Sequence, residues 1–146
     1  MSDCCSPKLT TTKHQKLSCP LCHVKCKLVT KKTVLLHLVF PLNLDTPSEN
    51  FYHCSNSECD TIYFLENGTS YNISQVRDKL EIQQGWLCYC FDISKQQYQH
   101  ALDTGTASEI KDFVIKQTQS HLCACDIRNP SGKCCLAEFK KMENNL

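Results

Sequence analysis

Four cysteines crowd residues 123–135, which read C-A-C-D-I-R-N-P-S-G-K-C-C around an Asn-Pro-Ser-Gly turn signal. So many soft donors in so short a stretch are more than an apolar core asks for, and a thiophilic metal is what they hold best. A second pair, Cys88 and Cys90 in L-C-Y-C-F, is separated from Cys123 by 32 residues, enough for two short helices to fold back. The two stretches read as one thiolate site.

Another set stands apart from them. Cys19 and Cys22 form a C-x2-C in C-P-L-C, Cys54 and Cys59 form a C-x4-C in H-C-S-N-S-E-C, and 31 residues lie between the pairs. Turns of this kind let two sulfurs face one ion while backbone N–H groups point at the thiolates, and two such turns make a closed tetrahedral Cys4 site of the structural zinc type. Cys26 lies four residues after Cys22, but its place outside the knuckle argues against a ligand role. His23 and His53 are read as neighbours of ligands, and His14, His37, His100 and His121 are assigned no chemistry. In residues 1–17, polar and without periodicity, Cys4 and Cys5 are adjacent in what reads as a mobile tail.

The elements that must position these thiols divide the chain into an α+β arrangement. Residues 18–85 read as a small zinc-knuckle β-subdomain, with strands over 33–40, 51–54 and 61–65 and a hairpin turn at Asn67-Gly68. Residues 74–85 are ambiguous between a short helix over 75–80 and a strand leading to Trp86, and form the junction. Residues 86–146 read as three helices. Ser94 with Gln97 is a capping-box signature opening a helix that carries Tyr98, Ala101 and Leu102 inwards, and Gly105 stops it. Thr106 with Glu109 repeats the device for a second helix to about Leu122, with Ile110, Phe113, Val114 and Gln117 on one face. A third helix begins near Cys134 and packs through Leu136, Phe139 and Met142. Its N-terminal dipole favours a thiolate on Cys135.

Composition narrows the function. Thirteen cysteines in 146 residues mean disulfides, metal sites or both. The first residues contain no apolar segment of the secretory kind, which points to a reducing cytoplasmic setting and against a disulfide scaffold. The longest apolar run, residues 34–44, is broken by His37, Pro41 and Asn43 and is far short of the roughly 20 residues that span a bilayer. A formal charge of +1 gives no electrostatic case for nucleic acid or a membrane surface. The two capped helices could describe a helix-turn-helix, but the second carries Glu109 and Asp112 beside its lysines and no arginine.

With C-P-L-C, H-C-S-N-S-E-C, C-Y-C-F and C-A-C-D-I-R-N-P-S-G-K-C-C-L in view, the chain resembles the N-terminal domain of iron-sulfur-type CopZ copper chaperones from Cys19 to about Phe139. In that family a zinc knuckle is fused to a [2Fe-2S] module similar to bacterioferritin-associated ferredoxin. The resemblance implies Zn²⁺ on Cys19, Cys22, Cys54 and Cys59, and a [2Fe-2S] cluster on Cys88, Cys90 and two cysteines of the 123–135 stretch. The simpler ferredoxin's last ligand precedes its third helix, which selects Cys135. Its other late ligand falls at Gly132, so that ligand has moved upstream, to Cys125 with Cys123 as alternate. Cys134 is then a thiol beside the cluster. Full-length chaperones continue into a G-M-x-C-x-x-C copper domain with no counterpart in this sequence.

Two functions follow as expectations. One is a redox module or accessory in copper and heavy-metal trafficking. It would serve transport or chaperone proteins, with Cys4, Cys5, Cys123 and Cys134 as copper-facing thiols and Cu⁺ as a further ion. The other is a ferredoxin-like electron-transfer or regulatory protein for iron mobilisation, serving a redox partner without copper. Catalysis is disfavoured: Cys19-x2-Cys22 is followed by strand pattern rather than a helix, and four glycines form no phosphate loop. A structural two-zinc protein accounts for eight cysteines but less well for C-x-C and C-C.

Overall fold

Both cysteine knuckles of the first half turn out to be the turns of β-hairpins. The computed structural model describes residues 16–145. Strands β1 (Lys16–Ser18), β2 (Lys25–Val29), β3 (Phe51–His53), β4 (Thr61–Leu65) and β5 (Ser70–Asn72) form one antiparallel sheet in sequence order. The expected tail over 1–17 therefore ends earlier, because Lys16 and Leu17 already pair with β2. Its remaining residues, with Cys4 and Cys5, lie outside the described residues.

Alternation along the strands sends side chains to two covered faces. Cys26, Leu28, Tyr52 and Phe64 gather with Cys19 and Cys54 on one face, where Tyr52 stacks on Phe64 at 5.5 Å. Val29, Phe51, Tyr63 and Leu65 face the other way, against Val34, Leu38 and Val76. All five residues of β4 are buried for this reason. Asn67-Gly68 makes the expected turn: Gly68 N–H donates to Leu65 O at 3.1 Å, with Gly68 at φ 93°.

The expected strand over 33–40 is helical as far as His37, and only Leu38 makes a β-bridge, to Val76. Helix α1 (Lys31–His37) starts at Thr30, whose side chain accepts from Thr33 N–H. The β-branched pair Thr33 and Val34 suggests a strand, yet the buried positions are Thr33, Val34, His37 and Leu38. That spacing is one face of a helix, and burial on the sheet decides the matter. The ambiguous junction resolves later than the sequence suggests, into α2 (Lys79–Gln84), closed by Gly85 at φ 75°.

The second half opens with a two-stranded hairpin, β6 (Trp86–Cys88) and β7 (Ile93–Ser94), followed by α3 (Lys95–Thr104), α4 (Ala107–Gln119), the single turn α5 (Cys125–Arg128) and α6 (Leu136–Asn144). The Ser94/Gln97 capping box and the Gly105 stop are as the sequence predicts. The Thr106/Glu109 box does not form: Thr106 precedes α4 without a side-chain cap, and its hydroxyl lies 3.2 Å from that of Thr104. Helix α4 buries Val114 and Thr118, while Phe113 is 48% exposed and packs edge-on against Phe91. Leu136 and Phe139 of α6 are buried, with Tyr98 edge-on to Phe139 at 4.7 Å and Met142 beside them. Among the described residues no helix is long and apolar enough to cross a membrane.

Candidate metal centres

The first group of thiols is built by sheet pairing. The Cys19–Val24 turn closes the β1–β2 hairpin, with Cys19 N–H donating to Val24 O at 2.9 Å, and the turn from Cys54 closes β3–β4, with Cys54 N–H donating to Ile62 O at 2.9 Å. Because β2 and β3 pair with Lys27 opposite His53, both turns sit at the same end of the sheet. The strands, α1 and the Leu42–Asp45 turn occupy the residues between the pairs. The sulfurs of Cys19, Cys22, Cys54 and Cys59 all lie within 4.8 Å of one another. Two contacts are 3.9 Å (Cys19–Cys59) and 3.6 Å (Cys22–Cys54). Metal–sulfur bonds of about 2.3 Å in a tetrahedron give edges of about 3.8 Å, so the cage has the size of one ion. Backbone N–H donation at Val24, with help from Asn56, Cys54 and Cys19, brings the Cys22 thiol down to about 6 against the opposing effect of burial, whereas burial pushes Cys54 and Cys59 up. Cys26 stays outside: it is buried, its Sγ donates to Val24 O at 3.2 Å, and burial raises its pKa.

The second group draws on both ends of the second half. Cys88 ends β6, Cys90 lies in the turn before β7, Cys125 begins α5, and Cys135 caps α6. Cys90 Sγ is 3.5 Å from Cys125 Sγ and accepts from Ala124 N–H at 3.1 Å. Cys135 contacts both Cys125 and Cys88, and Cys134 contacts Cys125. Cys88, Cys125 and Cys135 are buried among Leu87, Tyr98, Val114, Leu136 and Phe139. These thiols form a linked row and not a closed cage; among the described residues the only mutually close ligand group is that of the first site. Cys135 is held down to about 4, as the sequence suggests in direction. The leading cause differs, however, being donation from the Cys125 and Cys88 thiols rather than the helix end. Those contacts and burial push Cys88 and Cys125 up. Cys123, the alternate ligand, packs against the same core and is disulfide-bonded in this structure.

Residues 16–77 match the family model described as a zinc binding domain, of the CopZ type. This segment is similar to the zinc-binding domain of the CopZ type. Its bounds hold both knuckles and all four mutually close thiols. No curated protein sequence matches the chain significantly. Among solved structures, the chain is similar to the X-ray structure of the Archaeoglobus fulgidus CopZ N-terminal domain. The TM-score is 0.69 at 23% identity, over 87% of this chain and 98% of that one. A likeness at that identity speaks for the fold, a mixed arrangement of antiparallel sheet and helices.

Three residues of the 16–77 segment that sequence reading left without a role reach across to the second group. Thr33 Oγ1 donates to Asp126 O, His37 Nε2 to Ile127 O at 2.7 Å, and Tyr63 OH to Pro130 O at 2.6 Å. All three side chains are buried. Lys32 adds a surface ion pair to Asp126 at 3.8 Å. A signal existed only in part: Pro130 lacks an N–H, so a helix entering from Cys125 must leave the Asp126 carbonyl without its helical partner.

Proposed function

We propose that this protein is a metal-binding redox module or accessory of copper and heavy-metal trafficking. It carries structural zinc on Cys19, Cys22, Cys54 and Cys59 and a [2Fe-2S] cluster on Cys88, Cys90, Cys125 and Cys135. The observation that carries the reading is the contrast between the two thiol groups. One has the edges of a single-ion tetrahedron; in the other, contacts run from Cys90 to Cys125, on to Cys135 and then to Cys88 without closing on one ion, which supports a centre larger than a single metal. When bound, such a cluster supplies one-electron exchange, which is the change that separates Cu(II) from thiol-seeking Cu(I).

The chain's own residues prepare that site. Ala124 N–H donates to Cys90 Sγ and stabilises charge there. Leu87, Val114 and Phe139 keep water from the buried sulfurs. A low Cys135 pKa leaves one thiolate ready at neutral pH to start assembly. The reading is of a non-enzymatic protein in a reducing cytoplasm, with copper or heavy-metal transport or chaperone proteins as partners. Its support is the likeness to a CopZ-type zinc-binding domain in the first half and the fold shared with a CopZ N-terminal domain.

The test is the visible spectrum of anaerobically purified protein, with zinc, iron, sulfide and bound copper assayed together. The expected result is dithionite-bleachable bands with about two irons, two sulfides and one zinc per chain, and Cu⁺ uptake beyond these sites. A colourless protein with zinc and no sulfide after reconstitution would overturn the cluster assignment. The expected cluster without Cu⁺ uptake would instead leave electron transfer without a copper role.

A further inference from the structure

The loop that brings Cys125 and Cys135 to the second site does not hold itself. Its N–H groups are satisfied internally. Asn129 N–H donates to Cys125 O at 3.1 Å, Gly132 N–H to Asn129 O at 2.8 Å, and Ser131 N–H to Asn129 Oδ1 at 3.0 Å; Lys133 N–H donates to Ser131 Oγ at 3.1 Å. Its carbonyls are another matter. Asp126 O would accept from residue 130 in a continuing helix, but Pro130 has no N–H. Ile127 O would accept from Ser131, whose N–H is committed to Asn129. Pro130 O faces the first half. A buried carbonyl without a donor is costly, so something outside the loop must supply all three.

We propose that Thr33, His37 and Tyr63 are positioning residues for the second thiol site, with their donors on Asp126 O, Ile127 O and Pro130 O fixing where Cys125 and Cys135 stand. The contacts come from two elements of the first half, α1 and β4, and land on consecutive parts of one loop. Gly132 reports how closely the two halves approach: a Cβ there would sit 3.0 Å from Thr33 Oγ1 and 3.4 Å from Val29 Cγ2. The inference rests on the second group being a functional metal site.

The test uses Thr33→Val and Tyr63→Phe, which remove a hydroxyl at nearly constant shape, with Thr33→Ser as the variant that restores the donor. Zinc-loaded full chains are measured twice. With iron and sulfide supplied, the rate of visible-band loss to an iron chelator is followed. Without them, iodoacetamide labelling of each cysteine is timed by mass spectrometry. Loss of one buried donor should accelerate both band loss and labelling of Cys125 and Cys135 about tenfold, with Cys88 labelling and zinc content unchanged and Thr33→Ser near wild type. Unchanged labelling and band loss would overturn the proposal. So would uniform exposure of Cys88, Cys125 and Cys135 together with zinc loss, which would mean general unfolding. A wild type that takes up no cluster but whose variants still label faster at Cys125 and Cys135 would overturn the cluster assignment and leave the positioning role standing.

Discussion

His37 shows how much a single side chain at the seam between the halves is asked to do. A carbonyl can only accept, so Nε2 carries the proton that reaches Ile127 O, and Nδ1 is left as a buried acceptor without a hydrogen-bond partner among the described residues. Burial lowers its pKa; donation to Ile127 and the charge of Asp78 oppose that, while Arg77 and Arg128 reinforce it. The unfolded chain takes up this proton near the ordinary value of about 6.5, and the folded chain resists it. Stability from His37 is therefore fully present above about 6.5 and is lost as pH falls from there toward the lowered folded value. His53, brought down to about 4 by burial, changes in the same direction. Urea unfolding of zinc-loaded protein should weaken between pH 7.5 and 5.5 by up to about 1.4 kcal/mol per histidine for each pH unit below 6.5. His37→Gln should flatten that slope, with zinc assayed at each pH; an equal slope in the variant would exclude His37 as a source. Gly132 makes the complementary point. At φ 69°, and with a Cβ falling 3.0 Å from Thr33 Oγ1, any side chain in its place would be strained and would press on the Thr33 hydroxyl.

Helices α3, α4 and α6 meet at a polar tie laid over an apolar core. Tyr98 OH donates to Glu143 Oε2 at 2.7 Å, Lys111 Nζ reaches Glu143 Oε1 at 2.9 Å, and the Tyr98 ring packs edge-on against Phe139 beneath. Donation from Tyr98 and then Lys111 holds the Glu143 carboxyl below its usual range. Tyr98→Phe keeps the ring and removes a bond to a charged group, so it should cost about 2 kcal/mol in urea unfolding at pH 7. In Glu143→Gln the same change should cost less, because the bond is then to a neutral amide. Equal costs in both backgrounds would mean that the charge adds nothing. The sequence announces these elements well: the Ser94/Gln97 box, the Gly105 stop and the Leu136/Phe139 spacing are local signals, and the structure keeps each of them. It is silent where tertiary contact decides. Thr33 and Val34 carry β propensity but form α1, because one helical face of that segment is covered by the sheet. Phe113 looks inward by spacing yet sits beside Phe91 at the rim. The knuckle thiols were readable because turn spacing fixes sulfur positions; the donors to the Asp126–Pro130 carbonyls lie 67 to 93 residues away and leave no periodic trace.

At the scale of the molecule, the first thiol cage and the second thiol group are connected through one sheet. The cage ties the β1–β2 turn to the β3–β4 turn; β4 carries Tyr63, and β2 leads through Thr30 into α1 with Thr33 and His37. Metal in such a cage contributes folding free energy outright, on the order of 10 kcal/mol for small zinc domains. Without it the two hairpins are held together by the short β2–β3 pairing, three residue pairs long, and by the apolar packing on the two faces of the sheet. Emptying the cage should therefore be felt first at the loop those strands support, and less at Cys88, which the β6–β7 hairpin holds from within the second half. Cys54→Ser removes one buried ligand without touching either the loop or its donors. Hydrogen–deuterium exchange should then rise at least tenfold in a peptide spanning 124–136, with a smaller change across β6, and iron loss to a chelator should quicken in step. Exchange in 124–136 unchanged from wild type, in a chain shown to lack zinc, would mean that the halves fold independently and that zinc serves its own knuckle alone. Exchange rising equally everywhere would mean that the cage stabilises the whole fold without a privileged route to the loop.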